Sequence, residues 1–281
     1  MQHLISRLKM LFLGKLLRYL SKNLLFNWYL NPREYISREI LSFGHQERDL
    51  LEYIFSNIKI DKSDEFIDIG ANIGNHSLFF SEYFNKGYSF EPVLSTFKAL
   101  DLNVCINNLS DRIHVFNEGI SSSDGQLTFS ESTDGDIGRS MIIDDLSQEI
   151  SANKIYKIKV SKGDKYFSKC NNIGLIKVDT EGHEVSVIKG LTNTIIKNKP
   201  IILFEANAFP DNPDFHDTYK YLTKLGYNFF YSPQIKFYDV KSTIFRNILR
   251  VLISSKRVLV RVEEGFSYKS QLTIASFEDI S

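Results

Sequence analysis

Five short apolar runs, alternating with helical stretches, constrain what this 281-residue chain can fold into more than any other feature. They cover residues 66–69, 88–91, 113–117, 175–179 and 201–205. GLIKVD carries one lysine and PIILFE none, and runs this apolar belong to strands covered on both faces. Strands that alternate with helices build a parallel sheet. Two later runs, YNFFYSP and SQLTIASF, read as strands that close that sheet with an antiparallel edge. Between the third and fourth runs lies a polar, turn-rich stretch with hairpin-like alternation around Leu127 to Phe129.

In an open α/β sheet, ligands bind at the carboxyl ends of the strands, where the strand order reverses. The first strand ends in Asp68 and Gly70, the second in Glu91, and the third in Asn117 and Glu118. The fourth ends in Asp179 and Glu181, the fifth in Glu205 and Asn207. Turn chemistry accounts for two or three of these polar ends; five in succession indicate one shared rim. The turn after the first strand, DIGANIG, departs from the dinucleotide fingerprint because Asn72 stands where a second glycine is usual. Asp68 ahead of that turn suits a ligand bearing an ammonium beside a carboxylate, not a diphosphate. Asn72 tolerates a left-handed backbone, and a helix starting near Asn75 offers its amides to the carboxylate. Glu91 follows the glycines by about twenty residues, the spacing at which an acid takes ribose hydroxyls.

These features together resemble the class I S-adenosylmethionine-dependent methyltransferases, and more specifically the FkbM-type family. The resemblance rests on FIDIGANIGNHSL, YSFEPVLSTFKALDLNVCINN, VFNEGISSSDGQLTF, IGLIKVDTEGHEVSVIKG and KPIILFEAN, in that order. It implies a Rossmann-like, seven-stranded, mostly parallel sheet with helices on both faces and an antiparallel last strand. It also implies S-adenosyl-L-methionine as cofactor and methyl transfer to a hydroxyl of a sugar, glycolipid precursor or other small molecule. Carried over by position, Asp68, Gly70, Asn72 and Gly74 hold the methionine end, Glu91 the ribose, and Asn117 with Glu118 the adenine side. His76, on the first turn of the helix, departs from the smaller residue expected there.

Methyl transfer needs alignment and a group to take the hydroxyl proton. Asp179, Glu181 and His183 cluster at the fourth strand end and are the catalytic candidates. Either Asp179 or His183 removes the proton directly, or Asp179 with Glu205 and Asn207 holds a divalent cation that acidifies the hydroxyl. The direct route is favoured and no metal site is assigned, because the oxygen cage is incomplete in sequence.

Lys and Arg number 34, as do Asp and Glu, so a generic nucleic-acid binder is not expected. The basic residues are unevenly placed. Residues 1–44 form a basic amphipathic helical preamble with no acid before Glu34, and a second basic helical insert spans about 241–261 within the domain of residues 45–281. The preamble's longest uncharged run, 10–14, is too short for a signal peptide or a membrane span. Both segments suit peripheral contact with an anionic membrane and a glycan or lipid-linked acceptor. Cys105 and Cys170 match no metal or redox spacing, which fits a cytoplasmic protein, peripheral at the inner membrane face. A nicotinamide-dependent oxidoreductase and a non-catalytic membrane-surface adaptor are the alternatives on the same fold.

Overall fold

The computed structural model describes residues 12, 15–16, 24–31, 34–132, 141–143, 153–207, 213–235, 257–263 and 269–280. In chain order the helices are α1 (Tyr35–Phe43), α2 (Arg48–Asn57), α3 (Asn75–Phe80), α4 (Leu94–Ile106), α5 (Asp164–Phe167), α6 (Glu184–Gly190), α7 (Thr192–Asn198) and α8 (Pro213–Lys224). The strands are β1 (Glu65–Ile69), β2 (Lys86–Phe90), β3 (Ile113–Phe116), β4 (Gly119–Ser121), β5 (Gly125–Ser132), β6 (Met141–Ile143), β7 (Asn153–Lys162), β8 (Ile173–Val178), β9 (Ile201–Asn207), β10 (Phe229–Ile235), β11 (Arg257–Arg261) and β12 (Lys269–Ser276).

The main sheet runs β11-β10-β12-β9-β8-β1-β2-β3. Five consecutive strands, β9-β8-β1-β2-β3, are the five apolar runs, all parallel, and β12 lies antiparallel between β9 and β10. Side-chain alternation divides the core in two. Phe66, Leu175 and Leu203 pack under α2, α3 and α4, whereas Ile67, Ile69, Ile176, Val178 and Phe204 pack under α6, α7 and α8. Burial on both faces is what makes these strands near-continuously apolar. The order reverses between β1 and β8, which opens a crevice beyond their carboxyl ends.

The sheet has eight strands, not the expected seven. The added strand is β11, whose residues fall in the stretch expected to be a basic helix up to 261. Val258, Leu259 and Val260 between two arginines have the branched character that favours a pleated edge, and they pair antiparallel with β10. Residues 241–256 lie outside the described residues. Pro233 fits β10 because beyond Tyr231 that strand has a ladder partner on one side only.

The polar stretch after β3 builds a second sheet, ordered β4-β7-β5-β6. The alternation around Leu127 belongs to β5, and its long antiparallel partner is β7. Of the preamble, Phe12, Lys15 and Leu16 are helical, and α1 ends it. Residues 24–31 lie along α4: Asn107 Oδ1 accepts the Asn27 amide at 2.8 Å and Asn103 Oδ1 accepts the Tyr29 amide at 2.6 Å. Among the described residues no helix is long and apolar enough to cross a membrane.

Candidate active site

The crevice holds a cavity of about 410 Å³, within the ~300–1,000 Å³ typical of small-molecule sites. Its floor is the turn between β1 and α3, which needs three left-handed residues: Gly70 (φ 74°), Asn72 (φ 51°) and Gly74 (φ 95°). A Cβ on Gly70 would stand 1.8 Å from the Asp179 carbonyl oxygen, so only glycine lets β1 and β8 end side by side. Every backbone amide of the turn is engaged. Gly70 and Ala71 donate to the Phe90 carbonyl at 3.1 and 3.0 Å, and Gly74 to the Ala71 carbonyl at 2.9 Å. Asn72 donates to Glu91 Oε2 at 3.1 Å, and Ile73 to Asn72 Oδ1 at 2.7 Å. No amide from 70 to 74 is left for a pyrophosphate, which counts against the nicotinamide alternative.

Beneath the turn, Asp68 and Lys177 are register partners on β1 and β8. Asp68 is 0% exposed, and Lys177 is 1% exposed. Lys177 Nζ lies 3.3 Å from Asp68 Oδ1 and 3.1 Å from Asp179 Oδ2, and donates to the Gly70 carbonyl at 3.1 Å. Ser77 donates to the other Asp68 oxygen at 2.5 Å. Burial alone would depress the Lys177 ammonium, but Asp179 and Asp68 outweigh it and raise its pKa. One buried cation thus ties the glycine turn to the end of β8.

At that end Asp179, Glu181 and Glu205 bring one carboxyl oxygen each to within 4.8 Å of one another. Their environments separate them. Burial pushes Asp179 up, yet Lys177 carries it below the ordinary carboxylate range. Burial, then Asp179, pushes Glu181 up to about 7. Burial, with Asp179 and Glu181 close by, pushes Glu205 up to about 9, so it keeps its proton at neutral pH and hydrogen-bonds Asp179. The turn carrying Glu181 is left-handed at Glu181 (φ 53°) and Gly182 (φ 98°). Glu184 pins it, accepting from the Thr180 amide at 2.9 Å and the Gly182 amide at 3.1 Å. His183 Nε2 lies 3.0 Å from Ser121 Oγ, fastening the site to β4 of the second sheet.

A family model described as the methyltransferase FkbM domain matches residues 68–229. The chain belongs to the FkbM methyltransferase family. Relatives of this FkbM-family chain include the hexuronic acid methyltransferase AglP of Haloferax volcanii, 29% identical over 174 residues. That match takes in 60% of this chain and 65% of AglP. The solved structures it resembles include the FkbM methyltransferase of Methylobacillus flagellatus KT, with TM-score 0.49 and 16% identity over 93% of this chain and 58% of that one. Another is a SAM-dependent O-methyltransferase of Thermotoga maritima, with TM-score 0.44 and 12% identity over 85% of this chain and 69% of that one. The chain spans less than two thirds of AglP and of the Methylobacillus protein. TM-scores below 0.5 are too loose for comparing residues.

In this FkbM-family chain, Gly70, Asn72, Glu91, Asp179, Glu181 and His183 all line the cavity. Asp68, Gly74, Asn117 and Glu118 do not. Asp68 is buried beneath the turn, with Ser77 bonded to one oxygen and Lys177 ion-paired at the other, and Gly74 caps α3 against Leu100. Asn117, exposed, donates to the carbonyls of Glu91 and Pro92 at 3.0 and 3.1 Å and so fixes the chain beyond β2. Glu118 turns to the second sheet, where it accepts from Ser161 at 2.6 Å and from Tyr166 and pairs with Lys159 at 3.0 Å. Gly119 and Ile120 form the cavity wall in its place. Glu91 is buried, its oxygens accepting from the Asn72 and Val93 amides. Burial pushes it up to about 7 against those amides.

Sequence reasoning did not single out Lys177 or Glu47, although a lysine inside an apolar strand signals a buried ion pair. The preamble reaches the site, since Glu34, Tyr35 and Ile36 line the cavity. The side chain of Asn207 lies outside the described residues, and Glu181 takes its place beside Asp179 and Glu205.

Proposed function

We propose that this FkbM-family methyltransferase moves a methyl group from S-adenosylmethionine to a hydroxyl oxygen of a sugar or lipid-linked sugar. The observation that carries the reading is one cavity walled by Glu91 at one end and by Asp179, Glu181 and Glu205 at the other. Glu91 fits a ribose: each oxygen already accepts one amide and keeps a second lone pair for a hydroxyl. When bound, S-adenosylmethionine supplies an electrophilic methyl group. Gly70, Asn72 and Glu91 are the residues that would hold it.

Glu181 takes the proton of the acceptor hydroxyl, because a carboxyl near 7 is both free and basic enough at neutral pH. Asp179 is a poorer base, held low by Lys177, and Glu205 is already protonated. Their hydrogen bond keeps the Asp179 carboxylate fixed beside Glu181. A carboxylate acceptor would need no base, so a site tuned this way favours a hydroxyl. AglP, a hexuronic acid methyltransferase, supports a sugar as the acceptor class. Lys177 already supplies positive charge to Asp179, which favours a route without metal. Chelation with EDTA should then leave turnover unchanged, and activity restored by Mg²⁺ or Mn²⁺ would reassign the three carboxyls to a cation.

Incubating the enzyme with S-adenosylmethionine and a panel of neutral glycosides, hexuronates and lipid-linked sugars tests the reading by mass spectrometry. A gain of one methyl on a hydroxyl is expected, and methylation confined to carboxylates would refute it. The two basic stretches suit acceptor delivery at the cytoplasmic face of an anionic membrane. Flotation with phosphatidylserine vesicles checks that part, and absence of binding removes it.

A further inference from the structure

Asp68 is 0% exposed and does not line the cavity, which turns attention for the cofactor's ammonium to the acids that do. Glu91 and the β8–β9 carboxyls serve the two other ends of the cavity, and Glu34 accepts hydrogen bonds from Asn31 and Ser37. Glu47 remains, next to the turn that enters α3. It lines the cavity, and its carboxylate lies 3.4 Å from Nε2 of His76, with side chains only 15% and 10% exposed. His76 Nε2 is buried and has no hydrogen-bond partner. Its ring stacks on Phe80, at 6.0 Å between centroids.

The placement of Glu47 is built. It precedes α2 with a left-handed backbone (φ 58°) and makes no side-chain cap there, so its carboxylate is not spent on the helix. A strained non-glycine residue held in place against a cavity is a mark of a functional position. What holds it is Asn75, the first residue of α3: its side chain accepts from the Gln46 amide at 3.2 Å and donates to the Gln46 carbonyl at 3.1 Å. His45 Nε2 meets the Asn75 carbonyl at 2.8 Å. The segment 45–47 is thereby locked onto the end of the glycine turn, where the amino-acid end of a methyl donor would lie.

We infer that Glu47 is the carboxylate that receives the α-ammonium of the methyl donor, and that His76 is the positioning residue behind it. The assignment rests on the methyl-donor reading above, and both residues are sensors of the amino-acid end only. Glu47 lies N-terminal to the residues matched by the family model, so the cofactor site is completed from outside that region.

Calorimetric titration with S-adenosylhomocysteine and with 5′-methylthioadenosine, which lacks the amino-acid end, tests it. Glu47→Gln should weaken S-adenosylhomocysteine about tenfold or more, as loss of a charge-assisted bond implies, and leave 5′-methylthioadenosine unchanged. His76→Ala should weaken the same ligand alone, by less. Unchanged S-adenosylhomocysteine affinity in Glu47→Gln, or equal weakening of both nucleosides, overturns the assignment while the methyl-donor reading stands. Wild-type protein that binds neither nucleoside overturns both. Should Glu47→Gln lose its cooperative thermal transition, Glu47→Asp is read in its place, with the same pair of ligands and the same criteria.

Discussion

Replacing Lys177 by methionine keeps most of the length of the side chain but strips Asp68, fully buried, of its counter-charge. Removing one partner of a buried pair typically costs about 3–5 kcal/mol. Urea unfolding of Lys177→Met should show a loss of that order, and Asp68→Asn in the same chain should recover part of it, since the two residues touch. Glu181 is read by a different instrument. At saturating methyl donor, kcat/KM for the acceptor should rise with pH through about 7 and then level, as Glu181 loses its proton. Glu181→Gln should lower it by roughly 10²–10⁴-fold, the usual contribution of a general base, and erase that limb. A variant that keeps the limb would move the role to Asp179 or His183. At this scale sequence singled out Glu91, Asp179, Glu181 and His183, which line the cavity, because strand ends can be counted from apolar runs. It could not show that Asp68 faces inward to Lys177, because that depends on the register between strands more than a hundred residues apart.

The elements around the site are joined by side chains that imitate backbone. Asn103 of α4 is 0% exposed, accepts the Tyr29 amide and donates to the Ile73 carbonyl at 2.8 Å, so one carboxamide holds the segment 24–31, α4 and the glycine turn together. Asn103→Ala leaves both backbone groups without that partner, at about 1–3 kcal/mol for an unsatisfied buried group. Hydrogen exchange should then quicken at the Tyr29 amide before it does in β1 or β8; equal protection in variant and wild type would refute the link. Such a clamp has no periodic signature, and for that reason the packing of segment 24–31 on α4 was not legible in sequence. The same limit applies to β11. Arg, Val, Leu, Val and Arg in succession suit a strand, but the basic apolar residues before them have helical spacing, and only pairing with β10 decides where one ends.

Over the whole molecule, three cavity carboxyls carry raised pKa values: Glu91 and Glu181 about 7, Glu205 about 9. The folded chain therefore retains protons that the unfolded chain has released. Their contribution to stability is complete below the unfolded value near 4.5 and is lost as pH rises through 7 and, for Glu205, through 9. The urea midpoint should be higher at pH 6 than at pH 9. Glu205→Gln should flatten the decline between pH 7 and 9, where one proton accounts for at most about 1.4 kcal/mol per pH unit; an unaltered slope would mean Glu205 titrates normally. The positions of the parallel strands, their common rim and the family were legible in the chain's local patterns, since apolar periodicity and glycine turns act over a few residues. Which acids reach the cavity, and which are neutralised beneath it, was decided by the tertiary structure alone. Charges on β1, β8 and β9 acquire their partners only when the sheet assembles, and burial there sets the proton affinity of each.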